Sequence, residues 1–132
     1  MFNKNKQPPI KSLIADGTEI QGNLTFSDGL RVDGTVVGNV HAAEAAMSIL
    51  VISDSASITG SITADHIIIN GTVKGPIHAR RMLELQPKAR ITGDVTYRAL
   101  EMHQGATISG QLLPMGEGAG DKPTLKLVAI AG

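Results

Sequence analysis

Short stretches of alternating apolar and polar residues run through most of this chain, and a glycine stands at the centre of one recurring pattern. The pattern is apolar-x-Gly-x-apolar, and it returns at fairly even, but not identical, spacing along the chain. Alternation with a period of two is typical of β-strands that bury one face. The six copies are Ile20-Gly22-Leu24, Val36-Gly38-Val40, Ile58-Gly60-Ile62, Val73-Gly75-Ile77, Ile91-Gly93-Val95 and Ile108-Gly110-Leu112.

A second alternating apolar pair stands before each further copy of the pattern. A unit of about 17 residues is too short for helical repeats, which take roughly 33 or more. It suits one coil of a β-solenoid, with two or three short strands whose alternate residues point inward. We therefore predict an all-β solenoid of about six windings. The apolar pairs are Leu30/Val32, Leu50/Ile52, Ile67/Ile69, Leu83/Leu85 and Leu100/Met102.

The repeat glycines are predicted to be structural. A glycine is needed where an inward or corner position has no room for a Cβ atom or requires a positive φ. The longest interval between two of these glycines, from Gly38 to Gly60, contains the stretch His41–Ser48. We expect this stretch to form an extra loop at one corner.

Composition narrows the class of protein. Apolar residues make up 42% of the chain but aromatic residues only 2%, so the predicted core is aliphatic. The chain has no cysteine, which excludes a disulfide scaffold and a thiolate metal site. Twelve basic residues balance twelve acidic ones, and a neutral, aromatic-poor chain is a poor candidate for binding nucleic acid. No apolar run approaches the roughly 20 residues of a membrane-spanning helix.

Three parts of the chain differ in composition. Residues 1–11 contain three lysines, no acidic residue and the pair Pro8-Pro9, and are predicted to be a disordered basic arm. Residues 12–113 form the repeat body. Residues 114–132 are predicted to be a flexible tail, in which the apolar stretch 124–130 could dock.

The histidines do not suggest a metal site. His41 and His78 occupy equivalent positions, but each follows an inward residue and should point outward. They are expected to lie two coils apart, or roughly 9–10 Å, which is too far for one zinc ion. For His66 and His103 we find no acidic partner at ligand spacing. We predict no metal and no cofactor.

Other reactive side chains are also given structural interpretations. No G-x-S-x-G elbow surrounds the serines beside the repeat glycines, and the glycine-rich stretch 116–120 lacks the lysine and the strand-to-helix context of a phosphate loop. The arginines could bind an anion, but solvated corners are the favoured interpretation. We therefore predict no catalytic residue and no enzymatic activity. The side chains considered are Ser57, Ser61, Ser109, Arg80, Arg81 and Arg90.

The two ends of the solenoid are the predicted site of assembly. An open solenoid leaves unpaired N–H and C=O groups on its terminal coils, and such edges pair with other strands unless they are covered. We predict that copies of the chain stack end to end; the alternative is that the tails fold over the edges and cap them. The predicted interface is Leu13, Ile14, Ile20 and Leu24 at one end and Ile108, Leu112 and Leu113 at the other.

The opening arm has two interpretations. Met1 and Phe2 could insert into a membrane while Lys4 and Lys6 contact anionic headgroups, each lysine contributing about 1 kcal/mol near the surface. A filament would present many such arms, so that weak contacts add up to stable attachment. The alternative is a disordered, solubilising tail. We favour the membrane contact.

Several motifs together resemble the bactofilins. These are GLRVDGTVVGNV from Gly29, the copies ITGSI and ITGDV, and the opening MFNKNK, so that the resemblance covers residues 1–113. It implies a right-handed, roughly triangular β-helix with disordered tails. It further implies nucleotide-independent, non-polar filaments that act as a cytoskeletal scaffold. As partners it implies the inner face of the cytoplasmic membrane and proteins of cell-wall synthesis or hydrolysis, and hence a role in cell shape.

Two other classes of protein compete with this interpretation. Left-handed β-helices follow a hexapeptide repeat and often form trimeric acyltransferases or carbonic anhydrases. A spacing of six does occur from Ile14 to Val32 and from Leu85 to Tyr97, but it breaks at Gly38 and at His103. A monomeric binding module is the second alternative, and it would stay small at every concentration.

Overall fold

Parallel strands wind around one axis and form a β-solenoid of six coils. The computed structural model describes residues 9–44, 47–115 and 124–127, with only the backbone described for the last range. These residues form sixteen strands and no helix. The chain passes through three sides in each coil, and strands of successive coils pair in parallel along each side. The predicted all-β solenoid of about six windings is therefore confirmed.

Side one is the tallest of the three sides. Its members come from the beginning of each coil, and three long strands bend so that only their second halves belong here. In order along the axis, side one contains β1 (Ile10–Ile14), β4 (Gly29–Val32), β7 (Ile49–Ile52), the second halves of β9 (Ile62–Ile69), β11 (Ile77–Leu85) and β13 (Val95–Met102), and β16 (Thr124–Leu127).

Sides two and three each contain six strands. Side two contains β2 (Glu19–Gln21), β5 (Thr35–Val37), β8 (Ser57–Thr59), β10 (Thr72–Lys74), β12 (Arg90–Thr92) and β14 (Thr107–Ser109). Side three contains β3 (Leu24–Phe26), β6 (Val40–Ala42), the first halves of β9, β11 and β13, and β15 (Leu112–Pro114).

The core is a set of aliphatic rows parallel to the axis. Leu50, Ile67, Leu83 and Leu100 are register partners on side one, and all four are almost fully buried. The second member of each predicted apolar pair forms the adjacent row. Since residues two apart on a strand face the same way, both rows point inward. The register confirms the predicted alternating pairs.

One corner, between sides two and three, is built from stacked glycines. A Cβ atom on Gly60 would clash with the carbonyl oxygen of Gly38 in the coil below, and the φ of Gly60 is +147°. Gly93 approaches the carbonyl oxygen of Gly75 in the same way. No other residue has both the conformational freedom and the space that this corner requires.

At three of the corners, the residue after the glycine bonds to the next coil through its side chain. Asn23 accepts a hydrogen bond from the backbone N–H of Asn39 at 2.9 Å, and Asn39 accepts one from Ser61 at 2.9 Å. Asp94 accepts one from Gln111 at 3.0 Å. Pro76 occupies the same position in its coil and has no N–H to satisfy. These bonds satisfy backbone donors that the turn removes from the strand ladder.

The long repeat interval produces an extra loop between β6 and β7. The loop comprises residues 43–48, of which 45 and 46 lie outside the described residues. It is shorter than the predicted His41–Ser48, because His41 and Ala42 belong to β6. At the same corner of later coils one strand simply bends, as β9 does. The predicted position of the loop is confirmed.

Candidate polymerisation interface

The N-terminal end of the solenoid is an open apolar cavity. Ile14 is buried, while Ile20 and Leu24 are half-buried and pack against the core. The cavity has a volume of about 190 Å³ and exposes the first members of the inward rows. Its lining consists of Ser12, Ile14, Ile20, Leu24, Thr25, Phe26 and Leu30.

The strands around this cavity have open edges. Among the described strands, β1, β2 and β3 each pair on one side only. β1 carries an irregularity between Ile10 and Ser12, and Lys11 within it forms an ion pair with Asp28 at 2.9 Å. Leu13 differs from the other predicted interface residues at this end. It is in register with exposed Arg31 and lies on the outer surface.

The C-terminal end exposes the last members of the same rows. Leu112 is 42% exposed and ends the inward row that begins at Leu24. Ile108 ends a row on side two and is half-buried. Val95 and Leu112 are register partners in the inward row, and the residues that follow them, Thr96 and Leu113, are also register partners. Because successive residues of a strand face opposite sides, Leu113 lies on the outer surface.

A proline limits pairing at the open edge of β15. The N–H of Met115 donates to the carbonyl of Tyr97 at 2.7 Å, toward the solenoid body. Since N–H groups alternate in direction along a strand, the donor that Pro114 lacks would point to the open edge. Proline at such a position reduces unspecific strand pairing.

On side one, the C-terminal edge is covered by the last described strand, β16. β16 pairs in parallel with the second half of β13, with Leu125 opposite Leu100 and Leu127 opposite Met102. β16 belongs to the predicted tail, and the rest of that tail from residue 116 lies outside the described residues. Therefore the open C-terminal edge consists of β14, β15 and the outer side of β16.

A buried polar cluster fastens the extra loop to the solenoid. Asp65 accepts hydrogen bonds from the N–H and the hydroxyl of Ser48, and both residues are buried. Arg80 lies 3.5 Å from Asp65 and donates to the carbonyl of Ala42 at 2.8 Å. The prediction of a solvated corner is wrong for Arg80, whose side chain is only 18% exposed. Arg81 beside it is exposed, and so is Arg90 at the start of β12, whose guanidinium donates hydrogen bonds to backbone carbonyls.

A second polar cluster lies on side one near the C-terminal end. Glu84 and Glu101 are register partners, and Nε2 of His103 lies 3.7 Å and 3.4 Å from their carboxylate oxygens. The prediction that His103 has no acidic neighbour is wrong. Within the described ranges, this is the one group of three side chains whose ligand atoms approach closely enough, within 4.8 Å, to share a metal ion. Gln86 donates a hydrogen bond to Glu84, whereas Nε2 of His103 is buried and has no hydrogen-bond partner among the described residues.

The other histidines differ in exposure. His41 and His78 are exposed on side three and are separated by Thr63 in the same row. His66 is half-buried on side one. Burial lowers its pKa, and the charges of Glu84 and Glu101 partly oppose this effect. An uncharged imidazole is therefore favoured at His66.

Comparison with known proteins identifies the family. The family described as "Bactofilin: Polymer-forming cytoskeletal" matches residues 12–113, which is most of the chain. The chain belongs to the bactofilin family. Bactofilins are by this description cytoskeletal proteins that form polymers, so the two open ends are candidate sites of subunit contact. The description is not that of an enzyme family.

Two bactofilins of Myxococcus xanthus are similar to this chain. Bactofilin BacP is 27% identical over 101 residues, which cover 76% of this chain and 40% of BacP. Bactofilin BacO is 26% identical over 101 residues, which cover 76% of this chain and 77% of BacO. The matched region therefore spans less than half of BacP. No solved structure gives a significant match.

The residues of the predicted membrane contact lie outside the part of the chain that the structure describes. Met1, Phe2, Lys4 and Lys6 all lie in the range 1–8, which the structure does not describe. None of the described residues belongs to a helix long and apolar enough to span a membrane. Attachment through the arm therefore stays a prediction.

Proposed function

We propose that this bactofilin is a nucleotide-independent cytoskeletal scaffold whose subunits join end to end into a non-polar filament. The observation that carries the proposal is the row that begins at Leu24 and ends at Leu112. It runs through every coil, and neither of its terminal members is fully buried. A neighbouring subunit at either end would continue the row.

The energy of such a joint comes from burial and strand pairing. Apolar surface removed from water contributes about 25 cal/mol per Å², and open strand edges add backbone hydrogen bonds. Neither contribution requires a nucleotide. In a non-polar filament, N-terminal ends meet N-terminal ends and C-terminal ends meet C-terminal ends, so each joint is made by two identical surfaces.

We further propose that the filament lies on the inner face of the cytoplasmic membrane. Met1 and Phe2 supply apolar side chains, and Lys4 and Lys6 supply positive charge before any acidic residue occurs. Lys11 contributes less, because it is paired with Asp28. One arm binds weakly, but a filament presents an arm from every subunit.

Recruitment of cell-wall enzymes completes the proposal. The outer surface of side three repeats Thr25, His41, Thr63, His78 and Thr96 from coil to coil. A filament multiplies this polar row, so a client of low affinity would be retained along its length. We propose proteins of peptidoglycan synthesis or hydrolysis as these clients, which would couple the filament to cell shape.

Ultracentrifugation and negative-stain electron microscopy of the purified protein test the central claim. We expect the protein to sediment as filaments, equally with and without added nucleotide. A discrete trimer of fixed mass would instead support the left-handed enzyme class. Small species at every concentration would support a monomeric binding module.

A further inference from the structure

The strand β16 occupies the place of a seventh coil on side one. The stretch of chain from Leu100 to its register partner Leu125 is longer than the stretch from Leu83 to its own partner Leu100. If the coil length had stayed the same, residues 116–119 would lie against the second half of β13. The chain uses Thr124–Leu127 instead, after an insertion.

The residues of β16 match the pattern of the strands below them. Strands β11 and β13 each place a glutamate between two inward apolar residues, and β16 places Lys126 between Leu125 and Leu127 in the same register. The sign of the charge therefore reverses at Lys126, which stands opposite Glu101. Opposite charges at directly paired positions favour that register, whereas like charges disfavour it. Glu101 itself is stacked on Glu84, and its carboxylate lies 3.4 Å from Nε2 of His103, so Lys126 would join a cluster that contains two carboxylates.

The presence of β16 makes the C-terminal end uneven. Side one contains seven strands with β16 and six without it, and sides two and three contain six each. A second copy that approached β14 and β15 would contact β16 first. It would then still be separated from β14 and β15 by one strand spacing, roughly 4.8 Å. Two copies that both kept β16 in place would be held apart by about twice that distance.

We propose that Thr124–Leu127 is a removable cap, which docks on Ala99–Met102 in the register set by Lys126 and competes with a second copy of the chain for the C-terminal end. The proposal rests on the end-to-end assembly proposed above. The cap covers an edge of four residues, whereas a joint covers three sides. Docking is intramolecular, because residues 115–123 connect β15 to β16. The cap therefore holds at low protein concentration and is displaced as concentration rises.

A reversible covalent lock tests the proposal, because the chain has no cysteine of its own. The double variant Met102→Cys/Leu127→Cys places two thiols at register partners, within the range of Cα separations that a disulfide accepts. We expect an intramolecular disulfide on oxidation, assembly that stops at dimers joined through their N-terminal ends, and filaments after reduction. Filaments of equal length in both states would overturn the competition.

A second cysteine pair controls for the register. Glu101 and Leu127 are not register partners and should lie on opposite faces of the strand pair. The variant Glu101→Cys/Leu127→Cys should therefore form no intramolecular disulfide under the same conditions. Equal disulfide formation in both double variants would overturn the register, and disulfides between chains would overturn docking within one chain.

Charge variants test the role of Lys126. Lys126→Glu places a like charge opposite Glu101 and should loosen the cap, lowering the protein concentration needed for assembly by up to about fivefold. Glu101→Lys combined with Lys126→Glu should restore the original concentration. An unchanged concentration in Lys126→Glu would overturn the assigned role.

The disulfide assay separates this proposal from the proposed function. The lock in Met102→Cys/Leu127→Cys is detected by gel mobility whether or not the protein assembles. An intramolecular disulfide without filaments in either redox state would overturn end-to-end assembly and with it the competition. Filaments without any disulfide would overturn the cap and leave end-to-end assembly intact.

Discussion

Asp65 and Ser48 bind each other across neighbouring coils through three hydrogen bonds. Oδ2 of Asp65 accepts from the N–H of Ser48 at 2.9 Å and from its hydroxyl at 3.1 Å, while the N–H of Asp65 donates to Oγ of Ser48 at 3.0 Å. Both side chains are buried, so neither can exchange its partner for water. The pair holds the end of the extra loop in the register of side one.

Replacing Asp65 should therefore destabilise the fold. In Asp65→Ala, two donors of Ser48 and the guanidinium of Arg80 lose a buried acceptor, and we expect a loss of about 2–4 kcal/mol in the free energy of unfolding. Chemical denaturation measures this loss. Asp54→Ala is the matched control, because Asp54 forms an exposed ion pair with Lys88 at 3.3 Å and should cost at most about 1 kcal/mol. Equal effects of the two variants would contradict the structural role of Asp65.

The glycine corner predicts a difference between two alanine variants. Gly22 and Gly60 both have positive φ, of +132° and +147°, but only Gly60 has a carbonyl within 4 Å of the position of a Cβ atom. Gly22→Ala should cost the backbone strain alone, about 1–3 kcal/mol. Gly60→Ala adds the clash with Gly38 and should lower the melting temperature further. Similar melting temperatures would show that the corner relaxes freely.

Charges placed at the ends of the inward row should limit assembly to dimers. Leu24→Arg and Leu112→Arg each place a guanidinium where a subunit joint would bury it without a partner. In a non-polar filament, each variant keeps one intact end and should stop at dimers by analytical ultracentrifugation. Circular dichroism must show a β-rich fold in both.

Leu113→Arg is the control for these variants. Its neighbour Leu112 ends the inward row, but Leu113 lies on the outer surface in register with Thr96. We expect filaments of normal length from Leu113→Arg. Long filaments from both row variants as well would indicate growth through lateral faces.

The half-buried His66 should make stability depend on pH. Burial lowers its pKa below the usual value of about 6.5. As the pH falls below 6.5, the unfolded chain binds a proton that folded His66 resists, so the free energy of unfolding decreases until the pKa of the folded state is reached. Asp33, whose pKa its hydrogen bond with Arg31 lowers from 3.8, contributes only in more acidic solution.

Chemical denaturation of His66→Gln and of the parent at several pH values from about 7.5 to about 5 measures this effect. The range extends to both sides of the pKa of a free imidazole, about 6.5. Toward acid pH, the free energy of unfolding should decrease less in His66→Gln than in the parent. The exposed His78→Gln serves as the control for replacing an imidazole. An unchanged pH profile in His66→Gln would rule out the assigned role of His66.

Deletion of residues 2–8 should separate membrane binding from assembly. The deleted stretch contains Phe2, Lys4 and Lys6 and ends before the first described strand. We expect the variant to form filaments but to stay at the bottom of a density gradient in which anionic liposomes float to the top. Binding equal to that of the full chain would contradict the membrane contact.

The sequence predicted the core rows because they repeat at the length of one coil. Leu83 and Leu85 recur as Leu100 and Met102, and strand alternation places both pairs inward. The same reasoning could have found one missed cluster. Glu84 and Glu101 have the same spacing as these pairs, and His103 follows Glu101 by two positions, which places all three on one outer surface.

The contacts of the extra loop could not be predicted in this way. Ser48 stands at the end of an insertion, so its partner depends on how much of the chain the loop takes up before the register resumes. The sequence predicts a solvated corner for Arg80, and only the fold shows that its side chain reaches Asp65 and the end of β6. The position of β16 likewise depends on how many residues separate it from β15.

The parallel ladder also determines how the chain unfolds. Each coil is held by the coil before and the coil after it, so folding can start in the middle and spread outward, as in other linear repeat proteins. The coils around Ile67 and Leu83 have neighbours on both sides, whereas the terminal coils have only one and should fray first. A subunit joint supplies the missing neighbour. Filament formation should therefore suppress fraying, and a subunit inside a filament should exchange its amide hydrogens from the terminal coils more slowly than a free one.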